Sequence, residues 1–155
     1  MVEFLYSTGV RVSELVALNV GDIEMGKQEL IVYGKGSKER KTYLTDSAKF
    51  YLRRYLQLRE QIGLESQPLF VTLDEPHSRL TVAGIQYMLR QLGQRSGVKN
   101  VHPHRFRRTI ATDLLARGMK IEEVKEFLGH EKLDTTMIYC TVKDENVQAA
   151  HRKYA

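Results

Sequence analysis

The residues of this chain best suited to chemistry are one tyrosine and a scattered set of cations. Tyr139 ends the stretch KLDTTMIY, residues 132–139, shortly after Gly129 and His130. A phenol ionises near pH ~10, so its oxygen is a poor nucleophile at neutral pH. To attack a phosphodiester it needs neighbours that take its proton and others that neutralise charge on phosphorus. Arg11, Lys35, His104, Arg107 and His130 are candidates for that work.

Elements must bring these groups together. The Thr pair and short apolar positions of 132–139 predict one or two helical turns after the Leu-Gly-His turn. Met1–Thr8 reads as a helix without a cap, as in a chain cut from something longer, and Gly9 ends it. Arg11–Leu18 starts a second helix with Val12, Leu15, Val16 and Leu18 on one face. Arg11 and Glu14 share a side of it; taken alone they are a surface ion pair. Between Asp22 and Leu44 the period changes. Ile23 and Met25, then Leu30–Val32, then Tyr43 and Leu44 predict three short strands. The turn Gly34-Lys35-Gly36-Ser37-Lys38 is either a solvated turn or a mobile finger that carries an ammonium group to a phosphate. It lacks P-loop spacing.

Asp46 or Thr45 caps a long helix to about Ile62, with Phe50, Leu52, Tyr55, Leu56 and Leu58 on its apolar side. Pro68–Thr72 is a short extended piece. Thr81 caps a helix to about Ser96 that turns Ile85, Met88, Leu89 and Leu92 inward. A helix from about Arg105 to Ala116 follows the His102-Pro103-His104 turn. Ile121–Leu128 is a short amphipathic helix closed by Gly129, and Val142–Tyr154 a polar last helix. Arg105, Arg107 and Arg108 oppose the dipole at their helix start. A duplex phosphate arriving there removes that penalty; the alternative is a basic solvated turn. His102 and His104 could be metal ligands, but no Cys or acidic cluster stands beside them.

Composition narrows the partners. With 155 residues and 42% hydrophobic content, the chain suits one compact domain with a core. No apolar run is long enough to span a bilayer, and the start is not secretory. Cys140 is the only cysteine, so no internal disulfide forms within the chain, which suits the cytoplasm. The net charge of +5 favours an acidic partner, most commonly nucleic acid.

Several motifs then coincide in order. LYSTGVRVSELVAL, GKGSKER, HRFRRT, LGH and TTMIY together resemble the boxes of the tyrosine recombinase (phage integrase) catalytic domain. The resemblance covers nearly the whole chain. It implies Arg11 as the first catalytic arginine, supported by Glu14, and Lys35 as the hairpin lysine. It further implies His104 and Arg107 from the His-x-x-Arg box, His130 from LGH, and Tyr139 as nucleophile. Arg108 stands where many members have a second histidine, which is not a catalytic position. A helical DNA-clamping domain usually precedes this one; residues 1–155 read as a single catalytic domain without it.

The fold so implied is mainly α with a small three-stranded antiparallel sheet (α+β). The implied reaction is cleavage and rejoining of DNA through a 3′-phosphotyrosyl intermediate, with no metal or other cofactor. Arg11, Arg107 and His130 would stabilise the transition state, His104 take the tyrosine proton, and Lys35 protonate the leaving oxygen. Lys38, Arg40, Arg105 and Arg108 are expected to bind DNA. The partner is double-stranded DNA, on which the chain is expected to act as a homotetramer and to be monomeric when free. Rival readings are a type IB topoisomerase-like relaxation, a DNA-binding module without chemistry, and a metal-dependent nuclease.

Overall fold

The computed structural model describes residues 1–34 and 38–130. Lys35, the 132–139 stretch with Tyr139, and the expected last helix lie outside the described residues. The elements are α1 (Val2–Thr8), α2 (Val12–Ala17), a 3-10 turn (Val20–Asp22), β1 (Glu29–Tyr33) and β2 (Glu39–Tyr43). They continue with α3 (Asp46–Gln61), α4 (Val82–Ser96), α5 (Pro103–Ala116) and α6 (Ile121–Leu128).

The sheet of the described residues has two strands, not the expected three. The segment expected to supply the first strand spends its backbone groups elsewhere. The Ile23 N–H closes the 3-10 turn onto the Val20 carbonyl at 3.1 Å, and the Glu24 carbonyl accepts from the Lys27 N–H at 2.9 Å in the next turn. Ile23 and Met25 pack on the core from a loop. β1 and β2 form an antiparallel hairpin in which Val32 faces Arg40 and Leu30 faces Thr42. Alternation turns Leu30, Val32 and Thr42 inward and leaves Ile31, Tyr33 and Tyr43 exposed.

Short α1 is central, contacting α3, α5 and β2. Its Phe4 and Leu5 join Leu15, Leu52, Leu69, Ile85 and Leu89 in the main core, and Phe4 meets Phe70 edge to face at 5.5 Å. Each fully buried aliphatic side chain contributes about 1.5–3 kcal/mol. Ile110, Ala111, Val124, Phe127 and Leu128 form a second cluster between α5 and α6. Thr45 caps α3, its hydroxyl accepting from the Ala48 N–H at 3.3 Å. Phe50 and Leu58 of α3, and Met88 and Leu92 of α4, are exposed rather than inward. The first α5 residue is Pro103, two before the expected start; proline suits a first helical turn because that N–H needs no helical partner. No helix of the described residues is long and apolar enough to cross a membrane.

Candidate active site

The site forms where the left-handed residue after α1, the start of α2, the start of α5 and the end of α6 meet. Gly9 has φ of 55°, and a Cβ there would stand 3.0 Å from Leu128 and 3.3 Å from Ile110. Glycine thus lets the chain reverse tightly against the second core cluster and deliver Arg11 to the start of α2.

The carboxyl end of α6 organises the cations. Gly129 closes the helix in a left-handed conformation; its N–H bonds to the Glu126 carbonyl and the His130 N–H to that of Lys125. The next three carbonyls, of Phe127, Leu128 and Gly129, each receive an arginine. Arg40 donates to Phe127 at 2.6 Å and Arg11 to Gly129 at 2.9 Å. Arg107 donates to Leu128, and also to the Gly9 carbonyl at 2.5 Å. The unsatisfied carbonyls and negative dipole end of a helix are a natural seat for positive charge. This changes the sense of the Arg107 position: it lies in the first turns of α5, but its guanidinium reaches the far end of α6 and is buried.

Two of these guanidinium groups share one carboxylate. Glu14 Oε1 accepts from Arg11 Nη1 at 2.9 Å and Oε2 from Arg40 Nη2 at 2.7 Å. The Arg11 backbone N–H adds a bond to Oε2 at 2.8 Å. Burial pushes the Glu14 carboxyl up, but the bond and charge of Arg40 and the bonds from Arg11 outweigh it. The group ends below its ordinary range and is ionised. The Arg11 side chain keeps 41% of its exposure, while that of Glu14 keeps 1%. Arg11 is therefore held from behind and open in front.

Arg11, His104, Arg107 and His130 line one cleft of about 290 Å³, walled by Val10, Val12 and Pro103. A second cleft of about 370 Å³ shares Val12, Pro103 and His104 with it and adds Gln86, Arg90 and His102. His130 is buried, and burial first, then the charges of Arg107, Arg11 and Arg40, lower its pKa to about 4. His104 is lowered too, by burial and then by Arg107. Both imidazoles are neutral near pH 7 and can accept a proton or share one in a hydrogen bond. A larger groove of about 650 Å³ among α1, α3 and α4 is lined by Tyr51, Tyr87, Met88 and Leu92 and lacks this histidine–arginine set.

The other expected residues divide. Lys38, Arg105 and Arg108 are exposed, and Arg105 bonds to the Lys99 carbonyl. Arg40 faces inward and does not present its guanidinium to the surface. His102 and His104 have parallel rings with centroids 6.5 Å apart. No group of three or more His, Cys, Asp or Glu residues that could hold a metal ion exists among the described residues. Sequence reasoning missed the inward role of Arg40; its two-residue step from buried Thr42 on β2 carried the signal.

The family model described as "Phage integrase family" matches residues 1–146. Tyrosine recombinase XerC of Leptospira interrogans is 39% identical over 154 residues, 99% of this chain and 49% of the relative. The chain thus spans about half the length of that relative. The crystal structure of XerA recombinase is similar with a TM-score of 0.84 at 30% identity, over 98% of this chain and 56% of that one. XerH site-specific recombinase bound to difH substrate is similar with a TM-score of 0.76 at 25% identity, over 97% of this chain and 44% of that one.

Proposed function

Since the chain belongs to the phage integrase family, we propose that residues 1–155 are the catalytic domain of a site-specific DNA recombinase. The observation that carries this reading is the cleft in which Arg11, Arg107, His104 and His130 converge with no carboxylate among its lining residues. Arg11, held at its rear by Glu14 and open toward solvent in this cleft, offers a seat for a phosphodiester. The likeness to XerH bound to its difH substrate supports duplex DNA as the partner.

The reaction is a transesterification. The Tyr139 oxygen attacks phosphorus, the bond to the 5′ oxygen breaks, and a 3′-phosphotyrosyl link forms. His104, neutral at working pH, takes the phenolic proton; Lys35 gives a proton to the leaving 5′ oxygen. Arg11 presents its open face to the non-bridging oxygens, and Arg107 adds charge from beneath. His130, neutral and buried, contributes a hydrogen bond rather than a charge. The phosphotyrosyl link keeps the bond energy, so the reverse attack reseals the strand without ATP. Lys38, Arg105 and Arg108 hold flanking phosphates. Strand exchange between two duplexes takes a tetramer on DNA, and the free chain is monomeric and cytoplasmic.

Incubation with a pool of nicked duplexes of randomised sequence tests the reading. Covalent protein–DNA capture that persists in EDTA is expected. Cleavage abolished by EDTA, with no protein on the cut end, would instead identify a metal-dependent nuclease.

A further inference from the structure

Arg40 is the least expected member of the cation cluster. It belongs to β2, in register with Val32, and its side chain retains 9% of its exposure. Every direction of its guanidinium is used inside the protein. Nη2 meets Glu14 Oε2 at 2.7 Å, Nε lies 3.4 Å from Glu14 Oε1, and Nη1 donates to the Phe127 carbonyl at 2.6 Å. Nη2 also lies 3.5 Å from the Gly9 carbonyl. Its aliphatic stem runs directly beneath Gly129. One side chain of the hairpin therefore joins the acid of α2, the turn after α1 and the end of α6.

We propose that Arg40 is a positioning residue: it holds the Glu14 carboxylate against the end of α6, so that Glu14 and the Gly129 carbonyl together aim Arg11 into the cleft. The inference rests on the reading of Arg11 as a phosphate-binding arginine. Glu14 alone could turn with its own short helix, and Arg11, half exposed, would then follow it. Arg40 fixes the carboxylate from the opposite side, and the planar fork does so at two oxygens together. Lysine at position 40 keeps the charge but cannot hold Glu14 at two oxygens and the Phe127 carbonyl at once.

The test uses Arg40→Gln and Arg40→Lys in the 155-residue chain, with a nicked duplex recovered from the randomised pool by covalent capture on the parent chain. At saturating DNA, both variants are expected to form adduct about 10²-fold more slowly, as a misplaced group would cause, with DNA affinity unchanged. In an Arg11→Ala background the same substitutions should add little, because the group they act through is gone. Side-chain NMR of the Arg11 guanidinium should show hindered rotation in the parent chain and freer rotation in both variants.

Weakened DNA binding with an unchanged rate at saturation would make Arg40 a phosphate anchor and overturn the proposal. A slowing that multiplies fully with Arg11→Ala would overturn it as well. If the parent chain forms no adduct, the active-site reading fails, and Arg11 rotation decides the positioning claim alone: unchanged rotation in the variants defeats it. Should Arg40→Gln not fold, Arg40→Lys carries the same measurements.

Discussion

Gly129 lies against the stem of Arg40 so closely that a Cβ at position 129 would stand 2.5 Å from Arg40 Cδ. The residue also has φ of 61°, so alanine there meets two penalties. Gly63 has φ of 65° with nothing within 4 Å of its added Cβ, and so isolates the backbone penalty. Gly63→Ala should cost about 1–2 kcal/mol from left-handed strain alone. Gly129→Ala should cost more, and adduct formation should slow with it. Urea unfolding of the two variants checks the difference; equal costs would remove the Arg40 contact from the account.

The buried histidine makes stability depend on pH in a defined window. His130 holds a pKa of about 4 in the folded chain against an ordinary 6.5. Below pH 6.5 the unfolded chain takes up a proton that the folded chain refuses until about pH 4. Its contribution is complete above 6.5 and is lost as pH falls toward 4, and lowered His104 adds the same sign. Glu14 is also lowered, but its contribution fades only below its ordinary 4.5. Urea midpoints should therefore fall between pH 7 and pH 5, and fall less steeply in His130→Gln. A pH-independent midpoint over that range would contradict the assignment.

Arg11 and Arg107 should separate in stability although both should matter for rate. Arg107 is buried and serves the Gly9 and Leu128 carbonyls, so Arg107→Ala strands the Leu128 acceptor at about 1–3 kcal/mol and leaves that of Gly9 only the long contact of Arg40. Arg11 is half exposed, and its loss leaves Glu14 still bonded to Arg40. Arg11→Ala should slow adduct formation about 10²–10³-fold with the smaller loss of stability. Thermal unfolding beside single-turnover rates distinguishes the two variants.

Arg108 faces solvent near the cleft. Arg108→Ala should weaken binding evenly across sequences and reduce the salt slope of binding by about one unit. Titrations at several salt concentrations read this directly; an unchanged slope would remove Arg108 from the phosphate contacts.

Much of this arrangement was legible in the sequence. Glycines at 9, 97 and 129 marked helix ends, and Thr45 and Thr81 marked starts, because caps and left-handed residues are local chemistry. Four motif residues, Arg11, His104, Arg107 and His130, line one cleft. The third strand was misread because the Ile23 and Met25 alternation looks the same whether it faces a sheet or a loop over a core. The phase of long helices was misread for a related reason: Phe50 and Leu58 are apolar yet exposed. Arg40 was hidden by its neighbours, since a cation in a lysine-rich hairpin reads as a solvated face. Its two-residue step from Thr42 gives the inward direction, but only the tertiary approach of the α6 end gives it partners there. Arg59 was hidden likewise, buried among the Ser66, Pro68 and Leu69 carbonyls.

The central claim is that this cleft serves a tyrosine that becomes joined to DNA. Covalent complexes formed on the nicked pool can be digested with trypsin and nuclease, and the peptide bearing the nucleotide sequenced by mass spectrometry. The account predicts a nucleotide 3′-phosphate on Tyr139, and no adduct from Tyr139→Phe despite retained DNA binding. A nucleotide on Cys140 or any other side chain, or an undiminished adduct from Tyr139→Phe, would contradict it.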